Sequence, residues 1–399
     1  MRHFPESKRV VRVGALPTAA VSAIVAAAAL GTHATPLAAQ ERSASARVDY
    51  YVYVAAESED QVALVRFGAG GAEVVRTIAV GLYPTETDGP HGIAVDRTRG
   101  RWYVSLAHGT PFGQIHAYST GDDARLGAVE VGLFPATMSV APAGLLFVAN
   151  FNLHGDPEPS SVSAVDTETM TEVARVPTCA MPHGSRLSPD GRFHYSACMM
   201  DEQLVEIDAR RLSVSRRLYL APGHERALPP EATRSGGIVA HEADMETDAP
   251  RCGPTWVQPS PDGRSAYVAC NKNREVLEID LGAWRVSRRF ATGAGPYNLD
   301  VAPDGRLLAV TYKGGEATGI IDLAAGVELA AVPSSRRLPH GVVISPDSRY
   351  AFVSVEGVGS EHGAVDVIDL AVRRRVASVD VGRQAGGIGF WRVADPEGR

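Results

Sequence analysis

Hydrophobic positions along this chain come in short runs, each about one strand long, separated by turn residues at intervals of 8 to 12 positions. The clearest turns are Ser188-Pro189-Asp190-Gly191, Ser260-Pro261-Asp262-Gly263, Ala302-Pro303-Asp304-Gly305 and Ser345-Pro346-Asp347-Ser348, with Ala141-Pro142-Ala143-Gly144 as a weaker copy. Proline presets φ for the first inner position of a β-turn, and Asp-Gly tolerates the second inner and closing positions, so each tetrapeptide predicts a hairpin tip. An apolar run precedes each tip, and a run with an aromatic residue comes after it, as in Tyr195-Ser196, Tyr267-Val268 and Phe352-Val353. A third run ends at an acid, in Glu206-Ile207-Asp208, Glu278-Ile279-Asp280 and Val367-Ile368-Asp369. A fourth alternates Val and Arg, in Ser213 to Leu218 and Arg285 to Phe290.

Four such runs make one unit with a period in the low forties, which predicts an all-β propeller of four-stranded blades. Full units begin near residues 89, 134, 179, 252, 294 and 337. Residues 49–81 supply only the last three strands of a blade, and residues 386–393 a lone first strand. Joining the two ends in one blade hides both sheet edges and completes seven. The expectation is a seven-bladed propeller over 49–393, with an insertion at about 224–251 between blades 4 and 5 and a tail at 394–399. The repeats, in pieces such as Ser260-Pro261-Asp262-Gly263 and Tyr267-Val268-Ala269, resemble those of the YVTN-repeat β-propellers of exported bacterial type over about residues 49 to 393. The resemblance implies the fold; propellers of this kind host enzymes, binders and scaffolds, so it does not choose a function.

A chain of 399 residues with 45% apolar positions can bury a sizeable core, and its 40 glycines and 26 prolines are accounted for by turns. A net charge of −7, without a Lys/Arg cluster beyond the first residues, argues against nucleic acid as a partner. Arg2, Lys8, Arg9 and Arg12 precede an Ala-rich run from Val13 to about Leu30, and small residues occupy Ala34 to Ala39. This predicts a signal peptide over 1–40, a linker over 41–48, and a periplasmic or secreted protein with no membrane association beyond export. An uncleaved anchor is the alternative, against which stands the interruption at Pro17-Thr18. Export places the four cysteines in an oxidising compartment. Cys179 with Cys198 and Cys252 with Cys270 flank equivalent hairpins at separations of 19 and 18, so two disulfides are expected; a thiolate metal site is the alternative.

The candidate chemistry lies in three Pro-His-Gly triplets that open first strands, with His91, His183 and His340 at their centres. Around the ring the equivalent position is Gly386 or a neighbour, His91, Ala136, His183, Thr255, Tyr297 and His340. The imidazoles fall on blades 2, 4 and 7, spread almost evenly at the channel mouth. Three neutral imidazoles with an open position suit copper, zinc or iron and could activate a small ligand. His108, His154 and His362 lie in second-to-third-strand loops and His224 and His241 in the insertion, all on the same face, as secondary ligands. Glu242, Tyr297 and Glu356 are candidates for acid–base work, and the insertion for a lid. In the alternative reading, Pro-His-Gly is a repeat element whose imidazole only bonds a neighbouring blade. No G-x-S-x-G, P-loop, dinucleotide fingerprint or C-x-x-C-H occurs, so neither a nucleotide cofactor nor covalent haem is expected. In layout the mouth resembles the propeller domain of nitrous oxide reductase, where histidines hold copper. With three inner histidines and no electron-transfer copper domain, that activity itself is not implied. The expected function is an exported propeller with a metal-binding mouth, acting as an oxidoreductase or as a hydrolase of lactonase type. The alternative is a non-catalytic scaffold that binds a small molecule, a metal ion or a protein partner.

Overall fold

Each Pro-containing tetrapeptide folds as a β-turn: the amides of Gly191, Gly263 and Gly305 return to the carbonyls of Ser188, Ser260 and Ala302 at 2.8, 2.9 and 2.7 Å. The last residue of the turn takes a positive φ, between 67° and 73° in the three glycines and 59° in Ser348. The computed structural model describes residues 48–108, 112–155, 158–232 and 250–395. The expected leader, the middle of the insertion with His241 and Glu242, and the end of the tail lie outside the described residues.

Among the described residues, 29 strands form seven antiparallel sheets. Blade 1 is closed by both ends of the chain, in the order Ala385–Ala394, Asp49–Ala56, Gln61–Gly68, Gly71–Ala79. In that blade Val52 pairs with Phe390 and Val54 with Ile388, apolar on both sides. The innermost strands of blades 2 to 7 are Pro90–Asp96, Pro135–Val140, Pro182–Leu187, Pro254–Pro259, Pro296–Val301 and Pro339–Ile344. Blade 4 carries a fifth strand, Arg226–Leu228, which begins the insertion and pairs with Ser213–Tyr219. The core lies between neighbouring blades, where second strands such as Tyr350–Val355 are buried along their whole length. Among the described residues no helix is long and apolar enough to cross a membrane.

A bulge opens most first strands. Pro182 pairs with Cys198, yet the next pair is Ser185 with Ser196, and the same slip occurs between Pro90 and Ile93, Pro296 and Leu299, and Pro339 and Val342. A bulge re-aims side chains next to it, here the second residue of the strand. The glycine of Pro-His-Gly serves close approach of the next blade: a Cβ on Gly92 would come 2.0 Å from the Ala136 carbonyl oxygen, and one on Gly184 2.5 Å from that of Thr255.

Both expected disulfides form, Cys179–Cys198 and Cys252–Cys270, with Cα atoms 6.0 and 4.4 Å apart. Cys179 sits on the last strand of blade 3, Thr171–Ala180, so the first bond ties blade 3 to blade 4. Two buried charged residues of blade 4 fasten the insertion. The Arg217 guanidinium, 1% exposed, donates to the carbonyls of Pro230 at 2.6 Å and Thr178 at 2.7 Å, and burial pushes it down to about 10. The Glu202 carboxylate accepts from the amides of Cys252 at 2.7 Å and Gly253 at 3.0 Å.

Candidate functional site

The second residues of the seven first strands are Gly386, His91, Ala136, His183, Thr255, Tyr297 and His340, as the repeat predicts. The four that carry rings close a circuit around the axis. Ring centroids are 6.2 Å apart for His91 and His183, 5.5 Å for His183 and Tyr297, 4.9 Å for Tyr297 and His340, and 5.5 Å for His340 and His91. All three imidazoles are buried.

Glu57 organises one side of the circuit. It stands in a short 3-10 turn, Glu57–Glu59, between two strands of blade 1, and its carboxylate faces two imidazoles. Oε2 lies 2.9 Å from His91 Nδ1 and Oε1 lies 2.8 Å from His108 Nε2. Burial pushes the Glu57 carboxyl up, but the two imidazoles outweigh it and hold the group down at about 2. The hydrogen bond to Glu57 pushes His108 up. His91 donates through Nδ1 to the carboxylate, which leaves Nε2 as the acceptor; that atom is buried without a partner.

Hydrogen bonding also sets the state of His183. Its Nδ1 lies 3.0 Å from the Thr255 carbonyl oxygen, which can only accept, so Nδ1 carries the proton. Nε2 then accepts from the Tyr297 hydroxyl at 3.2 Å. Burial pushes His183 down to about 3 and holds it neutral. Burial pushes the Tyr297 hydroxyl far up, so it remains a donor. His340 is held well below its ordinary value by burial and by the Lys313 ammonium. That ammonium lies 2.6 Å from Glu356 Oε1 and 4.5 Å from the centre of the Tyr297 ring.

Under the circuit lies a cavity of about 20 Å3 lined in part by His91, His340, Arg186, Trp256 and Asn298. Four of these residues carry a buried polar atom with no partner: His91 Nε2, His340 Nδ1, Trp256 Nε1 and Asn298 Oδ1. The space is the size of a single water molecule, and its lining of donors and acceptors suits one. Blade 3 supplies an apolar wall: the Phe134 ring is 5.3 Å from each of His91, His108 and His154, and Phe151 is 4.6 Å from His183.

The histidine face is smaller than the loop positions predict. His108 and the exposed His154 join the cluster, their rings 5.5 Å apart. Exposed His224 makes no ring contact with it, and exposed His362 lines a peripheral groove with Glu59 and Asp380. Of the acid–base candidates, Tyr297 is part of the circuit, Glu356 reaches it through Lys313 and lies 3.8 Å from His340 Nε2, and Glu242 lies outside the described residues. Among the described residues no group of three or more His, Cys, Asp or Glu side chains is arranged to hold one metal ion. The reason is local: Nε2 of His183 faces the Tyr297 hydroxyl, and Tyr297 is the ring next to both His183 and His340.

Closed blades around an axial circuit of imidazole and phenol define a seven-bladed β-propeller with a histidine-rich mouth. No family model matches the chain, and no curated protein does. By structure it is similar to a periplasmic gluconolactonase of Pseudomonas aeruginosa, with a TM-score of 0.64 and 18% identity over 87% of this chain and 100% of that one. It is also similar to the hydrazine synthase of Kuenenia stuttgartiensis, with a TM-score of 0.57 and 17% identity over 80% of this chain and 95% of that one. A functionally unknown protein of Desulfotomaculum acetoxidans matches with a TM-score of 0.62 and 12% identity over 86% and 99% of the two chains. At these identities the likeness is one of fold.

Proposed function

We propose that this protein is an exported hydrolase of small cyclic esters, working at the mouth of its propeller with His91 as general base. The observation that carries the reading is the contact of Glu57 with His91 Nδ1, which leaves Nε2 buried and without a partner. A carboxylate that orients an imidazole and stabilises its protonated form is the usual support of a general base. His91 takes a proton from water as the water oxygen bonds to the ester carbonyl carbon. The carbon–oxygen bond of the lactone ring then breaks, and the leaving oxygen takes the proton back from His91, giving a hydroxy acid. The Lys313 ammonium, 4.5 Å from the centre of the Tyr297 ring, stands beside the circuit to stabilise the negative oxygen of the intermediate. Phe134 and Phe151 offer the substrate an apolar wall. The fold likeness to a gluconolactonase and the two disulfides support the activity class and export.

A second reading keeps copper, zinc or iron on His91, His183 and His340, where the metal would polarise the carbonyl. It is favoured by the partnerless nitrogens of His91 and His340, and by the Thr255 carbonyl, which accepts from His183 Nδ1 and so turns Nε2 of that ring inward. Assay of the purified protein against lactones of several ring sizes, with metal analysis of the same sample, tests both. We expect lactone opening that falls at least about a hundredfold in His91→Gln. A folded wild-type protein that opens no lactone faster than buffer overturns the hydrolase reading. Metal-free protein with full activity overturns the metal reading.

A further inference from the structure

The inner wall of the channel has a second polar layer, three positions further along the first strands. The fifth residues of these strands are Ser139, Arg186, Gln258 and Asp300 on the consecutive blades 3 to 6, and Val343, Gly389 and Ala94 on blades 7, 1 and 2. One half of the wall is thus polar and the other apolar. Ser139, Arg186, Gln258, Asp300 and Val343 are all partly exposed although they stand on innermost strands, whose outer edge the second strands cover. Their exposure is therefore toward the channel.

Among the described residues neither charge in this layer makes a close ion pair, and the two act on each other as opposite charges at longer range. A terminal nitrogen of Arg186 donates to the Ser185 carbonyl at 2.9 Å, and the guanidinium lies 5.0 Å from the centre of the Trp256 ring. One oxygen of Asp300 accepts the Ile344 amide at 2.8 Å. Ser139 Oγ and Gln258 Oε1, on the blades beside Arg186, are buried without partners. Burial pushes Asp300 up to about 6, and the Ile344 amide and the Arg186 charge pull it only part of the way back. Charges taken largely out of water without a close partner are costly, and a guanidinium presents a fork that matches a carboxylate.

We propose that this layer binds a small carboxylate that carries a hydroxyl or ammonium group on the neighbouring carbon. The carboxylate lies on Arg186, with the Ser139 hydroxyl beside it as a further donor. The hydroxyl or ammonium donates to Asp300, and the alkyl part rests on the half made by Val343, Gly389 and Ala94. The inference does not rest on the hydrolase reading.

Calorimetric titration of the intact protein with propionate, lactate and alanine tests it. Lactate or alanine should bind at least about tenfold more tightly than propionate, because only they offer a donor to Asp300. Whichever of the two binds better shows whether the donor is hydroxyl or ammonium. Arg186→Met, which keeps the packing on Trp256, should weaken all three by at least about tenfold. Asp300→Asn should remove the preference over propionate and leave propionate binding unchanged. Should Arg186→Met fail to fold, Arg186→Lys replaces it, keeping charge without the fork, and should also weaken all three. No saturable heat with any of the three acids, or equal affinities in wild type and a folded Arg186 variant, overturns the proposal.

Discussion

Glu57 Oε2 and His91 Nδ1 meet at 2.9 Å across the boundary between blades 1 and 2, and the other oxygen of the same carboxylate meets the half-exposed His108. One buried acid thus sets the tautomer of an axial imidazole and connects it to solvent. Replacing it by an amide keeps the shape and removes the charge. Glu57→Gln should lower lactone hydrolysis by roughly a hundredfold or more, mainly in kcat, because it no longer stabilises a protonated His91. Steady-state kinetics with a near-UV spectrum as the folding control measure this, and an unchanged kcat removes His91 from the role of base.

Acid should unfold this protein early. His116, His183 and His194 are pushed down to about 4, 3 and 3, in each case by burial first, and His340 falls in the same direction. A base with a depressed folded value contributes stability that is complete above its unfolded value near 6.5 and is lost as pH falls toward the folded value. Glu57, depressed from 4.5 to about 2, adds loss in the same direction below pH 4.5. Melting monitored by circular dichroism should therefore show Tm dropping from just below pH 6.5 and steepening toward pH 4. A flat Tm between those values contradicts neutral, buried histidines.

His194 offers a way to dissect that acid limb. Its ring stacks on Phe147 at 5.0 Å and both its nitrogens are buried without partners. His194→Phe keeps the stack and removes the unpaired atoms, so it should raise stability by about 1–2 kcal/mol near neutral pH and more in acid. Urea denaturation at pH 7.5 and pH 5 compares the two; a variant less stable at both shows that the nitrogens are satisfied by water.

The disulfide Cys252–Cys270 closes a separation of 18 residues at the point where the insertion rejoins blade 5. Loop-closure entropy for a ring of this size corresponds to about 3 kcal/mol. The double variant Cys252→Ala, Cys270→Ala should lose roughly that amount in denaturant unfolding. Cys179–Cys198, which ties two blades, should cost a similar amount when removed, and a loss near zero for both contradicts the assignment.

Blade number, ring closure and both disulfides were legible because their signals are local: Ser-Pro-Asp-Gly forms its turn wherever it stands, and repeat-equivalent cysteines flank equivalent hairpins. The axial circuit was legible for the same reason, since His91, His183, Tyr297 and His340 occupy one repeat position. Glu57 was not, because it stands in the incomplete first unit, where no other copy shows what the position does. The histidine face was overcounted because a repeat position specifies the end of the blade a loop occupies but not its distance from the axis; His224 and His362 are on outlying loops. One backbone feature escaped the turn reading altogether. The residue before each first strand is left-handed in all seven blades, and only Gly89, Gly253 and Gly295 advertise it, whereas Phe134, Met181, Leu338 and Gln384 adopt it against their side chains.

The pairing of Asp49–Ala56 with Ala385–Ala394 has a consequence for the order in which this molecule can come into being. Six blades can pair their strands within one continuous stretch of chain, but Asp49–Ala56 waits for Ala385–Ala394. Until Ala385–Ala394 pairs with Asp49–Ala56, Val52 and Val54 stand on an open edge, and the ring that gives the imidazoles from blades 2, 4 and 7 a common centre is not closed. The site is the last thing the chain acquires.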